Sequence, residues 1–405
     1  MTLDLFSQLG LVEPLCRALG AQDYRAPTPV QSQAIPLLLA GKDILGIAQT
    51  GTGKTAAFAL PILQHLSAAP AARAPSCVRA LILAPTRELA VQIDKSFGAY
   101  GKFMHLKHAV ILGGVSQNLQ IKTLARGVDI LVATPGRLLD LVRQHHVRLD
   151  RVSHFVLDEA DRMLDMGFIR DIRQIAALVP KKRQTLLFSA TMPKEVAHLA
   201  DELLHNPQRL EVTPQAAPVE LIDQNVMFSD SGGKRQILLG LLADKGLERV
   251  IVFTRTKHRA NRISDILEGA GIVSEAIHGN KSQNARQRAL ERFRAGEVRV
   301  LVATDIAARG IDIDGVTHVI NFELPSEPEN YVHRIGRTAR AGASGTAISL
   351  CDDTEMGLLR DIEKLTRTKL RVVGSIDAPK PAPREKPQPP KHSRRRRKFF
   401  GRKAA

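Results

Sequence analysis

The sequence has few of the residues from which metal sites, disulfide frameworks and membrane spans are built. It contains no tryptophan and three cysteines in 405 residues. Cys16, Cys77 and Cys351 are far apart and form no C-x-x-C pair, so neither a zinc site nor a set of disulfides is indicated. No apolar stretch approaches the roughly 18 to 20 residues of a membrane span, and the first six residues do not resemble a signal peptide. A reducing cytoplasm is therefore the expected location.

Acidic residues are scarce relative to basic ones. The chain has 41 Asp and Glu against 58 Lys and Arg, which gives a formal net charge of +17 and a pI near 10.1. Such a charge favours a polyanionic partner, and nucleic acid is expected ahead of a membrane surface. The hydrophobic fraction of 44% is typical of a globular protein, and the length suggests two or three domains.

Short apolar, β-branched runs alternate with amphipathic stretches in two successive series. Runs such as 81–83 and 250–253 predict buried parallel strands separated by helices. Between the series, 206–220 carries three prolines and has the composition of a linker. We therefore predict an α/β fold of two tandem domains, each a mostly parallel sheet flanked by helices. The predicted boundaries are 1–208 for the first domain, 209–220 for the linker and 221–377 for the second domain.

The last 28 residues, 378–405, differ in composition from the rest of the chain. They hold six prolines and eleven Lys or Arg against one acid, Glu385. Such a segment cannot bury a core, so we predict that it is disordered. Phe399 and Phe400 lie beside the basic run 394–398 and could stack on bases, so we expect the tail to contact nucleic acid. A purely solubilising tail is the alternative.

A glycine-rich loop follows the apolar run 44–47. It reads AQTGTGKT at 48–55. Between a strand and a helix, such a loop presents backbone N–H groups to phosphates, and the helix N-terminus adds positive potential. Lys54 is suited to the β- and γ-phosphates, and the Thr55 hydroxyl is suited to Mg²⁺. The candidate nucleotide-binding residues of the loop are Gly51, Thr52, Gly53, Lys54 and Thr55.

Two carboxylates follow the apolar run 154–157. Asp158 is suited to hold the water shell of a metal ion, and Glu159 is suited to orient and deprotonate an attacking water. Each motif alone has a plain structural explanation, a glycine turn without a ligand or a solvated acidic pair. The two motifs together, in this order, predict a nucleoside triphosphatase.

Polar turns follow several other predicted strands. The amide of Gln31 can pair with both N6 and N7 of adenine, which would select ATP over GTP. The turns at 84–88, 113–114 and 134–137 offer small residues, backbone N–H groups and arginines, which suit a phosphodiester backbone. Three such turns at one sheet edge of a basic protein predict a nucleic-acid track.

The second series of strands ends in an arginine-rich turn. It reads HRIGRTAR at 333–340, and Arg337 and Arg340 are three residues apart, so they can face the same way. Arginines placed against a γ-phosphate stabilise transition-state charge by roughly 10³ to 10⁵ in rate. A solvated basic face is the alternative explanation.

Together these motifs resemble those of the DEAD-box family of ATP-dependent RNA helicases. The resemblance covers roughly 4–370 and rests on the order and spacing of AQTGTGKT, PTRE, GG, TPGR, DEAD, SAT and HRIGRTAR. The stretches DEADRMLDMGF and GRTARAGASGTA resemble the bacterial RhlE-type branch. The family implies two RecA-like domains beside a cleft, ATP and Mg²⁺ as cofactors, and single-stranded and duplex RNA as partners. Proteins of ribosome assembly or RNA decay are further candidate partners.

The resemblance also implies roles for residues at matching positions. Thr28 and Gln31 would recognise adenine, with Phe6 packing near the base, and Arg337 and Arg340 would act as arginine fingers. From the second domain, the nucleotide would be approached by Gly310 and Asp312. The residues implied in coupling hydrolysis to strand separation are Asp161, Ser189, Thr191 and His333. The implied RNA contacts are Pro85, Thr86, Arg87, Gly114, Thr134, Pro135, Gly136 and Arg137 in the first domain, and Arg255, Gln283, Arg286 and Thr304 in the second.

Two positions depart from the family pattern. Asp23 stands where the family usually has glycine before the aromatic residue of the adenine motif, and at this turn the change matters little. Ala339 stands where many members have glycine in the last motif. A left-handed backbone would cost an alanine about 1 kcal/mol, so we expect a right-handed conformation there.

The leading hypothesis is an RNA helicase that separates strands locally and non-processively. A DNA translocase with the same chemistry is the second hypothesis, and DEAD together with Gln31 argues against it. An ATP-gated RNA clamp or scaffold with little unwinding is the third, and intact Lys54, Glu159 and Arg337 argue against it. Stimulation by RNA or by DNA separates the first two hypotheses, and ATP turnover at saturating RNA tests the third.

Overall fold

The computed structural model of the chain describes residues 2–49, 51–69, 74–211, 222–230, 232–308, 315–339 and 344–374, except for the side chains of residues 2–4 and 306. The basic tail predicted at 378–405 lies outside these residues. In the part of the chain that is described, no helix has the length and apolar character needed to cross a membrane.

A parallel sheet organises the first half of the chain. Its strands are β1 (Ile44–Ile47), β2 (Ala80–Leu83), β3 (His108–Ile111), β4 (Ile130–Ala133), β5 (His154–Leu157), β6 (Gln184–Ser189) and β7 (Gln208–Glu211). They lie in the order β3-β4-β2-β5-β6-β1-β7, and each pairing is parallel. The carboxyl ends of these strands therefore meet at one edge of the sheet, where ligands bind in folds of this type.

Helices connect these strands and cover both faces of the sheet. They are α1 (Thr2–Ser7), α2 (Glu13–Gly20), α3 (Pro29–Leu39), α4 (Lys54–Ala68), α5 (Arg87–Tyr100), α6 (Gln117–Ala125), α7 (Pro135–Arg143), α8 (Ala160–Asp165), α9 (Ile169–Leu178) and α10 (Lys194–Leu203). Along β2, Ala80 and Ile82 join one apolar layer, whereas Leu81 and Leu83 join the other. Burial on both faces explains why the strands are continuous apolar runs in the sequence.

The second half of the chain repeats this architecture. Its strands are β8 (Ile222–Phe228), β9 (Val250–Thr254), β10 (Ser274–Ile277), β11 (Val300–Thr304), β12 (His318–Asn321), β13 (Gly345–Cys351) and β14 (Arg371–Val372). They lie in the parallel order β10-β11-β9-β12-β13-β8-β14, which is the order of the first sheet with seven added to each number. The predicted fold of two tandem RecA-like α/β domains is therefore confirmed.

Helices again lie between the strands of the second sheet. They are α11 (Lys234–Ala243), α12 (Lys257–Gly269), α13 (Gln283–Arg294), α14 (Asp305–Ala308), α15 (Pro328–Ile335) and α16 (Met356–Thr366), preceded by a 3₁₀ turn at Asp353–Glu355. The polar side chains of interest at the second sheet follow β9, β11 and β12 and lie in α13 and α15.

The first sheet extends beyond the predicted end of its domain. Residues 209–211, predicted to be linker, belong to β7, which pairs with β1 from Ile44–Gln208 to Ile47–Glu211. Within this edge strand Leu210 is buried while its three companions are exposed. Because the strand presents one apolar residue and follows Pro207, its composition resembles that of a linker.

Ala339 adopts a left-handed conformation, so the right-handed backbone predicted from the sequence is wrong. Its φ is +54°, and Asp23, the other position that departs from the family pattern, has φ of +57°. Ala339 is buried in an apolar cluster that includes Tyr331 and Ile335 of α15. Packing in this cluster outweighs a local backbone cost of about 1 kcal/mol.

Candidate functional site

The loop after β1 has the backbone that a phosphate-binding loop requires. Gly51 and Gly53 have φ of +86° and +92°, values that favour glycine. A Cβ on Gly53 would lie 2.5 Å from Gln31 Nε2 and 2.9 Å from Thr28 Oγ1. Glycine is therefore needed at this position for both its dihedral angles and its size. The backbone N–H groups at the start of α4 point towards the same loop.

Lys54 lies buried between this loop and the end of β5. Its Nζ donates to the carbonyl oxygen of Ala48 at 2.9 Å and lies 3.9 Å from Asp158 Oδ1. The predicted phosphate-binding lysine and the predicted metal-holding carboxylate are thus brought together, although 104 positions separate them in the sequence.

Asp158 is in an environment that opposes its negative charge. Burial raises the pKa of its carboxyl to about 6, and the neighbouring Glu159 acts in the same direction, whereas Lys54 lowers it. A carboxylate under such strain gains most from a cation placed beside it. This property suits a residue that holds a divalent ion.

Glu159 has an unusual backbone conformation for a buried non-glycine residue. Its φ and ψ are +55° and +53°, and it immediately precedes α8. Its Oε2 accepts a hydrogen bond from Arg162 Nη1 at 2.7 Å, and both side chains are buried. Sparsely populated backbone conformations of this kind concentrate at functional sites, which supports the predicted catalytic position.

Asp161 connects the DEAD segment to the SAT segment at the end of β6. Its Oδ2 accepts hydrogen bonds from the backbone N–H of Thr191 and from the Thr191 hydroxyl, each at 2.9 Å, and from the N–H of Ala190 at 3.2 Å. Ser189 Oγ accepts from the N–H of Asp161 at 3.2 Å and donates to the carbonyl of Thr191 at 2.7 Å. Three of the residues predicted to couple hydrolysis to strand separation therefore form one hydrogen-bonded unit.

The adenine-motif residues brace the phosphate loop. Gln31 Nε2 donates to the carbonyl of Gly53 at 3.1 Å, and Gln31 Oε1 accepts from the N–H of Thr28 at 3.0 Å. The Thr28 hydroxyl donates to the carbonyl of Thr52 at 2.8 Å. Phe6 is buried, with its ring 6.3 Å from that of Tyr24 in an edge-to-face contact. Thr28 and Gln31 therefore hold the phosphate loop in place, and their role in adenine recognition stays a prediction.

A cleft of about 330 Å³ gathers most of the first-domain RNA contacts implied by the sequence. Arg87 lines it, and burial together with the nearby Arg286 and Arg137 lowers the pKa of its guanidinium. A Cβ on Gly114, whose φ is +77°, would overlap that guanidinium. The lining residues are Pro85, Thr86, Arg87, Glu88, Gly113, Thr134, Gly136, Arg137, Met166, Phe168, Gly279 and Arg286.

The lining contains residues that sequence reasoning missed and lacks some that it predicted. Met166 and Phe168 were not predicted, although DEADRMLDMGF places two apolar side chains just after a polar site, which is a usable signal.

Three predicted RNA contacts lie elsewhere. Pro135 is buried at the start of α7, and Thr304 is buried at the end of β11. Arg255 donates to Glu355 Oε1 at 2.8 Å. None of these three predicted contacts is among the residues that line the cleft.

A polar bridge joins the two domains beside this cleft. Glu88 Oε1, on α5 of the first domain, accepts from Arg286 Nε at 2.8 Å and from Gln283 Nε2 at 3.3 Å. Both donors lie on α13 of the second domain, and all three side chains are buried. Gln283 and Arg286 were predicted to contact RNA; in the structure they bind Glu88 of the first domain.

The arginines of the HRIGR segment face the first domain across a small cavity. Arg334 is held in place by Asp305, with bonds of 2.6 and 2.8 Å, and by the carbonyl of Glu323 at 2.6 Å. Arg337 Nε donates to the carbonyl of His333 at 3.2 Å. The cavity is lined by Arg162 of the first domain and by Phe253, Asp305, Ala308, Asn330, His333, Arg334 and Arg337 of the second. Gly310, Asp312 and Arg340 lie outside the described residues.

Two RecA-like sheets, a phosphate loop with a strand-end carboxylate pair, and second-domain arginines that share a cavity with Arg162 of the DEADR segment are the features of a two-domain nucleotide-binding protein. The sequence matches the DEAD/DEAH box helicase family over residues 28–199 and the helicase conserved C-terminal domain over residues 233–342. With the curated relatives described below, these matches show that the chain belongs to the DEAD-box helicase family.

Curated relatives match about nine tenths of the chain. The chain is 43% identical over 365 residues to "ATP-dependent RNA helicase CshA" of Limosilactobacillus reuteri, a match that spans 90% of this chain and 72% of the relative. It is also 43% identical over 366 residues to the protein of that name from Listeria monocytogenes, which spans 90% of this chain and 69% of the relative.

Solved structures resemble the whole two-domain arrangement. Yeast Dbp5 bound to RNA and ADP BeF3 has a TM-score of 0.80 at 33% identity, over 91% of this chain and 95% of that one. Mss116p bound to ssRNA and AMP-PNP has a TM-score of 0.80 at 30% identity, over 93% and 80% of the two chains. A DEAD box protein from Methanococcus jannaschii scores 0.53 despite 36% identity and coverage of 91% and 99%. The domains of this chain are therefore arranged more like those of the RNA-bound proteins.

Proposed function

We propose that this protein is an RNA-stimulated ATPase that couples ATP hydrolysis to local, non-processive unwinding of RNA duplexes and remodelling of RNA–protein complexes. The observation that carries the proposal is a site divided between two domains. Lys54, Asp158 and Glu159 lie in the first domain, and Arg337 of the second domain lines a cavity together with Arg162, which is hydrogen-bonded to Glu159. The relatives named as ATP-dependent RNA helicases support the same activity.

The residues of the phosphate loop fit a nucleotide with Mg²⁺. Gly51 and Gly53 leave the backbone open to phosphate, and the buried cation of Lys54 stands beside the charge-strained carboxyl of Asp158. Thr55 and Asp158 would hold the ion; such sites usually pair one or two protein ligands with phosphate oxygens and waters. When bound, Mg²⁺ neutralises phosphate charge.

In hydrolysis, Glu159 orients the attacking water and accepts its proton. Lys54 and Arg337 stabilise the charge that develops on the transferred phosphoryl group. Because Arg337 belongs to the second domain, this stabilisation requires the domains to be together. Turnover without RNA is therefore expected to be slow. The hydrogen-bonded unit of Asp161, Ser189 and Thr191 transmits the state of the nucleotide site to the neighbouring surface.

RNA binds along the cleft that the two domains form. Arg87, Arg137 and Arg286 neutralise phosphates, and the turn backbone after β4 offers N–H donors. A single strand that follows this cleft must fit the geometry of both domains at once, so closure favours a bent strand over a duplex. This requirement makes strand separation local.

Several finer assignments remain proposals from the sequence. They include membership of the RhlE-type branch, the roles of individual site residues, the position of the domain boundaries, contacts with ribosome-assembly or RNA-decay proteins, and a cytoplasmic location. The curated relatives reported above carry the name CshA, which supports the family and not that branch.

Two variants test the proposed activity. Lys54→Ala should abolish hydrolysis, because the phosphates lose a buried cation, and Glu159→Gln should keep ATP and RNA binding but stop turnover. ATP hydrolysis and displacement of a labelled RNA strand should be measured with and without RNA. Near-normal ATPase in either variant would contradict the assigned site. Hydrolysis without strand displacement by the unmodified protein would favour the ATP-gated clamp.

A further inference from the structure

Arg162 is a buried cation for which the proposed mechanism has no role. It is the third residue of α8 and is 3% exposed. An ion pair in the interior rarely adds stability over apolar packing. The presence of arginine here therefore asks for a functional explanation.

The contacts of Arg162 place it between the candidate general base and the second domain. Its Nη1 donates to Glu159 Oε2 at 2.7 Å. It also lines the inter-domain cavity together with Asp305, Arg334 and Arg337. The Asp305 carboxylate is already bound by Arg334 through two hydrogen bonds. Arg162 therefore pairs with Glu159 of its own domain, while Asp305 of the second domain pairs with Arg334.

We propose that Arg162 is a positioning residue for ATP hydrolysis, which holds the carboxylate of Glu159 in its catalytic orientation while the arginines of the second domain close on the site. The proposal rests on the function proposed above, in which Glu159 is the general base. The left-handed backbone of Glu159 turns its side chain towards the first turn of α8, where Arg162 meets it.

The inter-domain cavity explains why such a restraint is useful. Arg337 must reach the γ-phosphate, and it lines the same cavity as Arg162. Once the guanidinium of Arg162 is removed, Glu159 Oε2 loses the hydrogen bond that holds it at the edge of this cavity. Arg162 therefore fixes one oxygen of Glu159 within the first domain.

The test uses the full chain with Arg162→Met and Arg162→Lys. Arg162→Met should lower the turnover number at saturating RNA by about 10- to 100-fold, the range expected when a catalytic group is misplaced by about 1 Å. The KM for ATP and the affinity for RNA should change less than about twofold, because Arg162 acts on the base and not on binding. Arg162→Lys keeps the charge and should restore part of the turnover.

A double variant separates positioning from a general structural role. In a Glu159→Gln background, Arg162→Met should cause no further loss of the residual hydrolysis, followed over a single turnover with excess enzyme, because residues that act as a unit are not additive. Arg79→Met removes a largely buried arginine from its pair with Asp129, at 3.1 Å, and serves as the control: its side chain is 16% exposed and lies away from the nucleotide site. It should lower the thermal unfolding midpoint while leaving turnover by the folded protein unchanged.

The measurements distinguish a failure of the positioning role of Arg162 from a failure of the general-base role of Glu159. Normal turnover in Glu159→Gln alone would overturn both. Loss of turnover in Glu159→Gln, together with an equal loss from Arg162→Met in both backgrounds, would overturn the positioning role alone. A parallel rise in the KM for ATP, or no recovery in folded Arg162→Lys, would also overturn it.

Discussion

Residues under local strain lie where the chain enters the nucleotide site. Gly53 and Glu159 both have left-handed backbones, at the ends of the loops that follow β1 and β5. Glycine tolerates this conformation, whereas Glu159 keeps it at a cost of roughly 1 to 2 kcal/mol, which surrounding contacts must offset. Ala339 shows the same behaviour in the second domain. At Glu159 and Ala339 the tertiary environment, and not the residue type alone, determines the backbone conformation.

A buried histidine, His154, predicts how stability depends on pH. His65 Nδ1 and His154 Nε2 are 3.1 Å apart, and Ser153 Oγ is 2.9 Å from His154 Nδ1. Burial, with the neighbouring His65 and Arg79, lowers the pKa of His154 from 6.5 to about 4. The native state then binds this proton less tightly than the unfolded chain, so stability is full above pH 6.5 and is lost as the pH falls towards 4.

This shift corresponds to a loss of about 2 kcal/mol in the free energy of unfolding between pH 7.5 and pH 5.0. His154→Asn should remove that component of the pH dependence, even if it lowers stability at pH 7.5. Urea unfolding at the two pH values measures it. His198→Asn, at an exposed position, should keep the wild-type dependence. The same pH-dependent loss in His154→Asn as in the wild type would contradict the assignment.

Helix α5 joins two parts of the function. Its N-cap Thr86 accepts from the N–H of Leu89 at 3.3 Å and lies in the RNA cleft with Arg87. One residue further, Glu88 binds Arg286 of the second domain at 2.8 Å. The same turn of helix therefore contacts the nucleic-acid cleft and the other domain, so RNA binding and domain closure share one rigid element.

Glu88→Gln tests the contribution of this bridge to closure. Hydrogen bonds to charged groups contribute about 1.5 to 3 kcal/mol. The ratio of closed to open domain arrangements should therefore fall by about tenfold or more relative to the wild type. RNA-stimulated turnover should fall accordingly, while the slow RNA-independent rate should not change. Glu202→Gln, which breaks the exposed pair with Arg173, is the control. Unchanged stimulated turnover over a full RNA titration would show that the bridge does not govern closure.

At the scale of the whole molecule, charge is unevenly distributed along the chain. The tail 378–405 carries eleven of the 58 basic residues but one of the 41 acids. The cleft of the folded domains holds its cations in fixed positions, which select one geometry of the RNA backbone. The tail is predicted to hold its cations in no fixed arrangement, so it cannot read base edges. We therefore expect the two to contribute differently to affinity and to selectivity.

Deletion of residues 378–405 should weaken RNA binding and flatten its salt dependence. Each phosphate neutralised on a single strand adds roughly 0.7 to the log–log slope of affinity against salt, so several contacts should be lost together. The loss should be similar for unrelated RNA sequences, and turnover at saturating RNA should be kept. RNA binding over a salt series measures the slope. An unchanged slope would make the tail a spacer or a protein-docking segment.

The sequence by itself determined the fold class and the chemistry of the nucleotide site. The phosphate loop, the DEAD segment and the adenine motif are each a short, continuous stretch of sequence. The composition of each stretch therefore already indicates its local backbone and the chemical groups that it offers. Continuous apolar runs predicted parallel strands because both sheet faces are buried. These features need little knowledge of distant contacts.

Only the tertiary structure decided which side chains meet across the sheet edge and between the domains. Neither the bridge from Glu88 to Arg286 nor the approach of Arg162 to the cavity of Arg337 follows from spacing, because 198 positions separate the first pair. Strand order and the placement of one domain on the other create these contacts. The left-handed backbone of Ala339 has the same origin, since packing around it exceeds a local preference of about 1 kcal/mol.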